Sequence, residues 1–365
     1  MNENVSSIDP EAAQADPKRR KRKRTIDKLD TPLFKWFLLP LTYGMIRQII
    51  LFVERLSPSQ VYLFARGLAL LWHSLSPRHR KTAIRNVEIA YRDRFTPKER
   101  KKIARQVVQH FFLTTFDLFI LPRYLPNGDW QKIFTMTKEQ EAFMQRIMKS
   151  DRPVAFHTAH LGSWETMAGL AGIFDRKLHL VYRPLDHPQV DKLLKEMRTR
   201  LGNEAHAKKG VLRAYAKALR HGEWIGVIAD QNAGRRAAYL DFFGVPASTE
   251  TSYFPLYQRF KPLIATGFAI RDGFNFKFHI EGFFEEEANT EADATEESMR
   301  LGQWYLDCIE KIAKRYPEQY LWTHRRYTSR PGGIPSLYQN LESPLEETVR
   351  DAQPKTPVPP YVRQE

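Results

Sequence analysis

The sequence predicts an α/β protein: a mixed, mostly parallel sheet flanked by helices on both faces, preceded by an N-terminal helical, membrane-associated subdomain. Three observations carry this reading. From about residue 150 onward, short apolar runs of strand length alternate with amphipathic helical patterns. Before that, the pattern is helical. The positive charge is also concentrated there: residues 31–110 hold 15 Lys/Arg against 4 Asp/Glu, in a chain of 365 residues whose net charge is +15.

Four segments follow from this. Residues 1–30 carry the run KRRKRKR, Lys18–Arg24, but no apolar stretch, so they read as a disordered basic tail and not as a secretory signal. Residues 31–125 form the helical region. Its first apolar run, LFKWFLLPLTYGMIRQIILFVERL from Leu33 to Leu56, approaches the length of a membrane span but is interrupted by Lys35, Pro40, Arg47 and Gln48. The second, Val61 to Leu75, is too short to cross and carries Arg66. Either the first run is a tilted span, or both are helices lying in the membrane interface with their basic heads reaching phosphate. Two buried core helices are the third option, and the local excess of positive charge favours the membrane. Thr96, Pro97 and Glu99 then spell a capping box, with proline at the first helical position, for a helix running to about residue 120.

Residues 126–330 form the α/β unit. Strands are expected at RPVAFHTA, LHLVYR, EWIGVIAD, PLIATGFAIR and FNFKFHIEGFF. Helices are expected at SWETMAGLAGIF, QVDKLLKEMRTRL, GVLRAYAKALRHG and ESMRLGQWYLDCIEKIAKRYP, the third of these closed by Gly222. Residues 331–365 are Pro-rich and without periodicity, and read as a second disordered tail. A single cysteine, Cys308, excludes an internal disulfide framework and any multi-cysteine metal site. Neither GxxxxGK nor GxGxxG occurs, so phosphate-loop and dinucleotide-binding readings have no support and no cofactor is expected.

The chemistry-bearing stretch is HTAHLGSWE, residues 157–165. Alternation along RPVAFHTA puts Val154, Phe156 and Thr158 on one face and Ala155, His157 and Ala159 on the other, so His157 belongs to the sheet. His160 falls at the strand's carboxyl end, where open α/β sheets place their ligands. Gly162 turns the chain, Ser163 precedes the next helix and Glu165 lies in that helix's first turn. A histidine and a carboxylate across one tight turn form a general-base arrangement, with the carboxylate fixing the tautomer and stabilising the imidazolium. A metal site from His157, His160 and Glu165 is disfavoured, because strand residues three apart face opposite ways and no cysteine or second histidine cluster completes a shell. Arg183 ends LHLVY, Arg198 lies on the following helix, and Asp230 and Gln231 end EWIGVIA. If these strands are parallel neighbours, all four border the crevice at His160. The arginines there are suited to phosphate or an oxyanion, while a plain Arg198–Asp230 ion pair is an equal alternative.

Taken together, HLGSWE, VYRP, the Arg198 of MRTRLG, DQNAGRRAAYLDFFGVPAST and YPEQYLWTHRRY resemble the bacterial lipid A biosynthesis acyltransferases of the lysophospholipid acyltransferase superfamily. RKTAIRNVEIAY followed by TPKER is similar to that family's helical lead-in, and the resemblance covers roughly residues 35–330. It implies transfer of a fatty acyl chain from acyl carrier protein or acyl-CoA to a hydroxyl of a membrane glycolipid, at the cytoplasmic face of the inner membrane. It further implies His160 as base with Glu165 as its partner, and Arg183, Arg198 and Asp230 at the active-site rim or in the catalytic network; Gln231, from its place at the strand end, joins them as a candidate substrate-binding residue. Ser163 stands where many members have Asn. The anionic membrane surface is an expected partner and nucleic acid is not. The competing expectations are a related acyltransferase acting on a phosphatidylinositol mannoside or an amino lipid, and a basic membrane- or nucleic-acid-binding protein without activity.

Overall fold

A computed structural model describes residues 39–121, 134–173, 176–200, 202–284, 291–343 and 345. The basic tail therefore lies outside the described residues. Among the described residues four helices come first: α1 (Leu39–Val53), α2 (Pro58–Leu75), α3 (Pro77–Tyr91) and α4 (Pro97–Ile120). The capping box at Thr96 is present as the sequence predicts. Its hydroxyl accepts from the Glu99 N–H, and the Glu99 carboxylate accepts from the Thr96 N–H at 2.8 Å. α2 starts on a second capping box, at Ser57.

One face of the α1–α2 pair is buried, with Ile50, Val53, Val61 and Ala65 packed on Leu113 and Phe116 of α4. The other face exposes Leu41, Met45, Ile49 and Phe52 of α1 and Leu63, Leu70, Leu71 and Leu75 of α2. No helix among the described residues is long and apolar enough to cross a membrane.

The main sheet has seven strands in the order β1-β9-β8-β2-β5-β3-β4. They are β1 (Phe134–Thr135), β2 (Val154–Thr158), β3 (Leu178–Tyr182), β4 (Glu204–Ala207), β5 (Trp224–Ile228), β8 (Leu263–Asp272) and β9 (Asn275–Phe284). β8, β2, β5, β3 and β4 run parallel, and β9 returns antiparallel to β8. The connecting helices are α5 (Lys138–Lys149), α6 (Trp164–Ile173), α7 (Pro188–Thr199), α8 (Val211–Arg220), α9 (Pro255–Phe260) and α10 (Ala294–Arg315). Side-chain alternation divides the core as expected for a sheet covered on both faces. Val154 and Phe156 of β2 pack towards Met144 and Ile147 of α5, whereas Ala155 and Ala159 join Leu219 of α8 and Leu306 of α10.

Several elements were not legible in the sequence. β4, read from EAHA, is an edge strand with all four residues only partly buried, so it carries no apolar run. β1, α5 and the short α9 were likewise unread. A separate antiparallel hairpin, β6 (Ala238–Phe242) and β7 (Val245–Thr249), turns through Phe243 and Gly244, both at positive φ (56° and 74°). Such a turn is ordinarily announced by Asn-Gly or Asp-Gly. Here a phenylalanine takes the first position, its N–H donating to Glu310 and its ring packed on Tyr91 and Trp322. Of the C-terminal segment, residues 331–343 are described, and Leu337 and Tyr338 are buried in the main core. Residues 346–365 lie outside the described residues.

Candidate active site

β2 and β5 are parallel neighbours paired from Val154↔Trp224 to Thr158↔Ile228. Two residues further on, the same register brings His160 opposite Asp230. The Asp230 carboxylate accepts from the His160 ring Nδ1–H at 2.7 Å and from the His160 backbone N–H at 3.0 Å. The Asp230 side chain is 1% exposed and the imidazole 22%, so a buried carboxylate orients a ring that reaches solvent. Burial pushes the Asp230 carboxyl up, but the charge and two hydrogen bonds of His160, with Arg326 nearby, outweigh it and hold the carboxyl below its usual value. With Nδ1 protonated, Nε2 is the acceptor, and the Gln231 amide donates to it at 3.2 Å. A Nδ1–H tautomer with a lone pair on Nε2 is the form of a general base.

The strand ends are tied together from α10. Tyr305, fully buried, donates to the Thr158 carbonyl at 2.7 Å and accepts from the Ala229 N–H at 3.1 Å, one residue before Asp230. Arg326 donates to the carbonyls of Gln231 and Ser248 and to the Thr249 hydroxyl, clamping the segment after β5 to the hairpin. His324 accepts from the Asn232 N–H at 3.0 Å, and burial pushes its pKa down to about 4. Asn86 of α3 borders the same recess and donates to the carbonyls of Trp322 and His324. The sequence reading did not single out Asn86, Tyr305, His324 or Arg326. The available signals were the RNVEIAY and THRRY blocks that contain three of them.

Glu165 is placed differently from the expectation. Its partner is Arg198, which donates through Nε at 3.1 Å and Nη2 at 2.5 Å in a bidentate pair. The expected His160–Glu165 pairing and the alternative Arg198–Asp230 pairing are thus exchanged for His160–Asp230 and Arg198–Glu165. The physical reason is register. Parallel pairing puts Asp230 beside His160, while Glu165 sits within α6 and meets α7, whose last turn carries Arg198. Burial disfavours the Arg198 charge, but the bond and charge of Glu165 outweigh it and raise the guanidinium above its ordinary pKa. Asn203 holds α7 against α6, donating to the carbonyls of Ala168 and Arg198. Arg183, one residue beyond β3, is exposed.

The turn between β2 and α6 is rigidly fixed. Gly162 has φ +62°, and a Cβ there would lie 2.2 Å from the Ala269 carbonyl oxygen. The N–H groups of Leu161, Gly162 and Ser163 all donate to protein carbonyls, those of Ala159, Gln319 and Ala269 respectively. With the His160 N–H on Asp230, the turn's amides are committed. Ser163 donates its hydroxyl to Asp117 of α4, which also accepts from Arg271. Burial raises the Asp117 carboxyl, against the opposing effects of Arg271 and Ser163. A largely apolar cavity of about 150 Å³ lies beside Asp117, lined by Val61, Leu113, Leu121 and Phe276 among others. His157 is fully buried, bonded through Nε2 to the Tyr257 hydroxyl at 2.6 Å and ringed by Tyr253, Phe254 and Tyr305. Burial pushes its pKa down to about 3.

A histidine–aspartate pair at the carboxyl edge of a parallel sheet, with the second ring nitrogen left as an acceptor, is an arrangement chemically able to take up a proton. Residues 32–329 match the bacterial lipid A biosynthesis acyltransferase family, and the chain belongs to that family. It is 25% identical over 296 residues to the lipid A biosynthesis lauroyltransferase of Escherichia coli K12, covering 80% of this chain and 92% of that one. It is 28% identical over 199 residues to the palmitoleoyltransferase of the same organism, covering 53% of this chain and 62% of the relative. With a lipid A biosynthesis acyltransferase of Haemophilus influenzae Rd the identity is 33% over 164 residues, 43% of this chain and 50% of the relative.

Proposed function

We propose that this protein transfers a fatty acyl chain from a thioester donor, acyl carrier protein or acyl-CoA, to a hydroxyl of a lipid A precursor at the cytoplasmic face of the inner membrane. The observation that carries the reading is the solvent-reaching His160 imidazole, held in the base tautomer by buried Asp230. The acceptor hydroxyl takes the place of the Gln231 amide at Nε2. His160 removes its proton as the oxygen attacks the thioester carbonyl, and Asp230 stabilises the imidazolium that forms. The thiolate then leaves and is protonated from His160. No protein nucleophile enters the sequence, because the acceptor supplies its own. Gln231, displaced from Nε2, is the donor available to the developing oxyanion, since the turn's own amides are occupied. Arg183 and Arg198 serve as the cationic edge for phosphates of the acceptor or acidic groups of the donor. Glu165 keeps Arg198 in position.

Membrane delivery rests on α1 and α2. Leu63 and Leu75 are 64% and 72% exposed and Arg47 and Arg66 also reach solvent, a composition suited to insertion among acyl chains with the cations at phosphate. These helices pack on α4 and α7, the helices that carry Asp117 and Arg198, so the docking surface and the catalytic turn share their supports. Mass spectrometry of lipid A from a deletion strain tests the reaction. Loss of one acyl chain, restored by the wild-type gene and not by His160→Ala, is expected. An unchanged lipid A would refute the acceptor.

A further inference from the structure

A second cluster of ligand atoms lies away from the catalytic edge. His179 is the second residue of β3 and pairs with Glu204 of the edge strand β4; His206, two residues on, shares the same sheet face. His179 Nδ1 and His206 Nε2 are 2.9 Å apart, and Glu204 Oε2 lies 3.6 Å from the first and 3.7 Å from the second. Three donors bound at about 2.0–2.1 Å around a tetrahedral ion would be spaced about 3.3–3.4 Å apart, so the triangle is already close to that size. The outer support is in place as well. His179 donates its Nε2–H to Glu223 at 2.8 Å, which leaves Nδ1 with its lone pair towards the cluster. Lys177 engages the other Glu204 oxygen, Oε1, and leaves Oε2 to the imidazoles.

We propose that His179, Glu204 and His206 bind a divalent transition-metal ion of the zinc class. Two imidazoles and one carboxylate supply three positions, and water completes the fourth, because Glu204 and His206 are open to solvent (45% and 25% exposed). The ion replaces the His179–His206 hydrogen bond, with the His206 proton moving to Nδ1 so that Nε2 can coordinate. Its effect is to fasten β4, whose residues are only partly buried, to β3 at the end of the sheet opposite His160. The sequence hides this site because 27 residues separate the two histidines and only strand pairing joins them.

The test uses the full-length protein with any affinity tag removed, titrated with Zn²⁺ by calorimetry, and with Co²⁺ by visible absorption to report tetrahedral ligation. One saturable equivalent, a raised Tm and a Co²⁺ ligand-field band are expected. His206→Ala should lower affinity at least tenfold. Glu223→Gln, which touches no metal, should lower it about 10- to 100-fold. His160→Ala should bind as the wild type does. No saturable equivalent, or one that survives both His179→Ala and His206→Ala, would overturn the proposal and leave the cluster a hydrogen-bonded histidine pair. Circular dichroism of each variant separates lost ligation from lost folding.

Discussion

Replacing Asp230 by Asn removes one charge from the site and changes almost no volume. The carboxylate now accepts two hydrogen bonds from His160, one from the ring and one from the backbone. An amide has a single acceptor oxygen, so one of those donors would face an NH₂ group. The ring can relieve this only by presenting Nδ1 as an acceptor, which moves its proton to Nε2 and abolishes the base. Charge is lost as well. Unit charges about 4 Å apart at an effective dielectric constant of about 20 attract by about 4 kcal/mol, close to three powers of ten in rate. General-base contributions of about 10²- to 10⁴-fold bracket the same figure. Asp230→Asn should therefore lower kcat for acyl transfer by about 10²- to 10⁴-fold, with little change in vesicle binding. The assay is transfer of labelled acyl chains from a thioester to a lipid A precursor in mixed micelles, with two-dimensional NMR of the imidazole nitrogens reporting the tautomer. An Asp230→Asn enzyme retaining more than about a tenth of the wild-type rate, or a wild-type ring protonated at Nε2, would show that Asp230 does not hold His160 as the base.

Other consequences follow from the same geometry. Glu165→Gln leaves the buried Arg198 charge without its bidentate partner and should lower stability by about 3–5 kcal/mol; adding Arg198→Met should restore part of that in denaturant unfolding, and independent, additive losses would show that the pair is not coupled. Gly162→Ala places a Cβ against the Ala269 carbonyl in a left-handed conformation, so a loss of at least about 2 kcal/mol is expected in thermal unfolding. His157 and His324 are held neutral in the fold, with pKa values pushed down to about 3 and about 4, while the unfolded chain protonates near its ordinary value. Their stabilisation is therefore full above that value and is lost as pH falls, by about 3 kcal/mol for the two between pH 7.5 and 5.5; His157→Gln should flatten this limb of the unfolding profile. Asp230 acts at lower pH, its depressed carboxyl giving stability that is present above the ordinary carboxylate range and lost as pH falls through the folded value. Leu63→Ser with Leu75→Ser should weaken binding to anionic vesicles by about 100-fold or more, at about 1.5 kcal/mol or more per leucine, without changing the folded-state circular dichroism.

The sheet was legible because its central strands are buried on both faces and written as continuous apolar runs: VAFHT, WIGVI and LIATGFAI are each recognisable by themselves. The capped helices were legible for the same local reason, with Thr96 and Glu99 three residues apart. The edge strand β4 and the hairpin were not, since a half-exposed EAHA and a Phe-Gly turn carry weak local signals. The site divided along the same line. His160, Gly162 and the fate of His157 follow from strand alternation and turn chemistry within nine residues. The partner of His160 does not, because it depends on which strand lies beside β2. Glu165 is near in sequence and Asp230 is near in space, and only the β2–β5 register decides between them. Arg326, Tyr305 and Asn86 act from elements brought in by tertiary packing, beyond the reach of any local pattern.

On the proposed mechanism, His160 Nε2 takes the proton from a lipid A hydroxyl. The most direct measurement is single-turnover acyl transfer by the purified protein, wild type against His160→Ala, with acyl carrier protein and acyl-CoA thioesters supplied in parallel and vesicle binding measured on the same samples. Acylated lipid A from the wild type, and a rate about 10²- to 10⁴-fold lower from the variant at equal membrane binding, is the expected result. A His160→Ala protein that transfers acyl chains at close to the wild-type rate would contradict it.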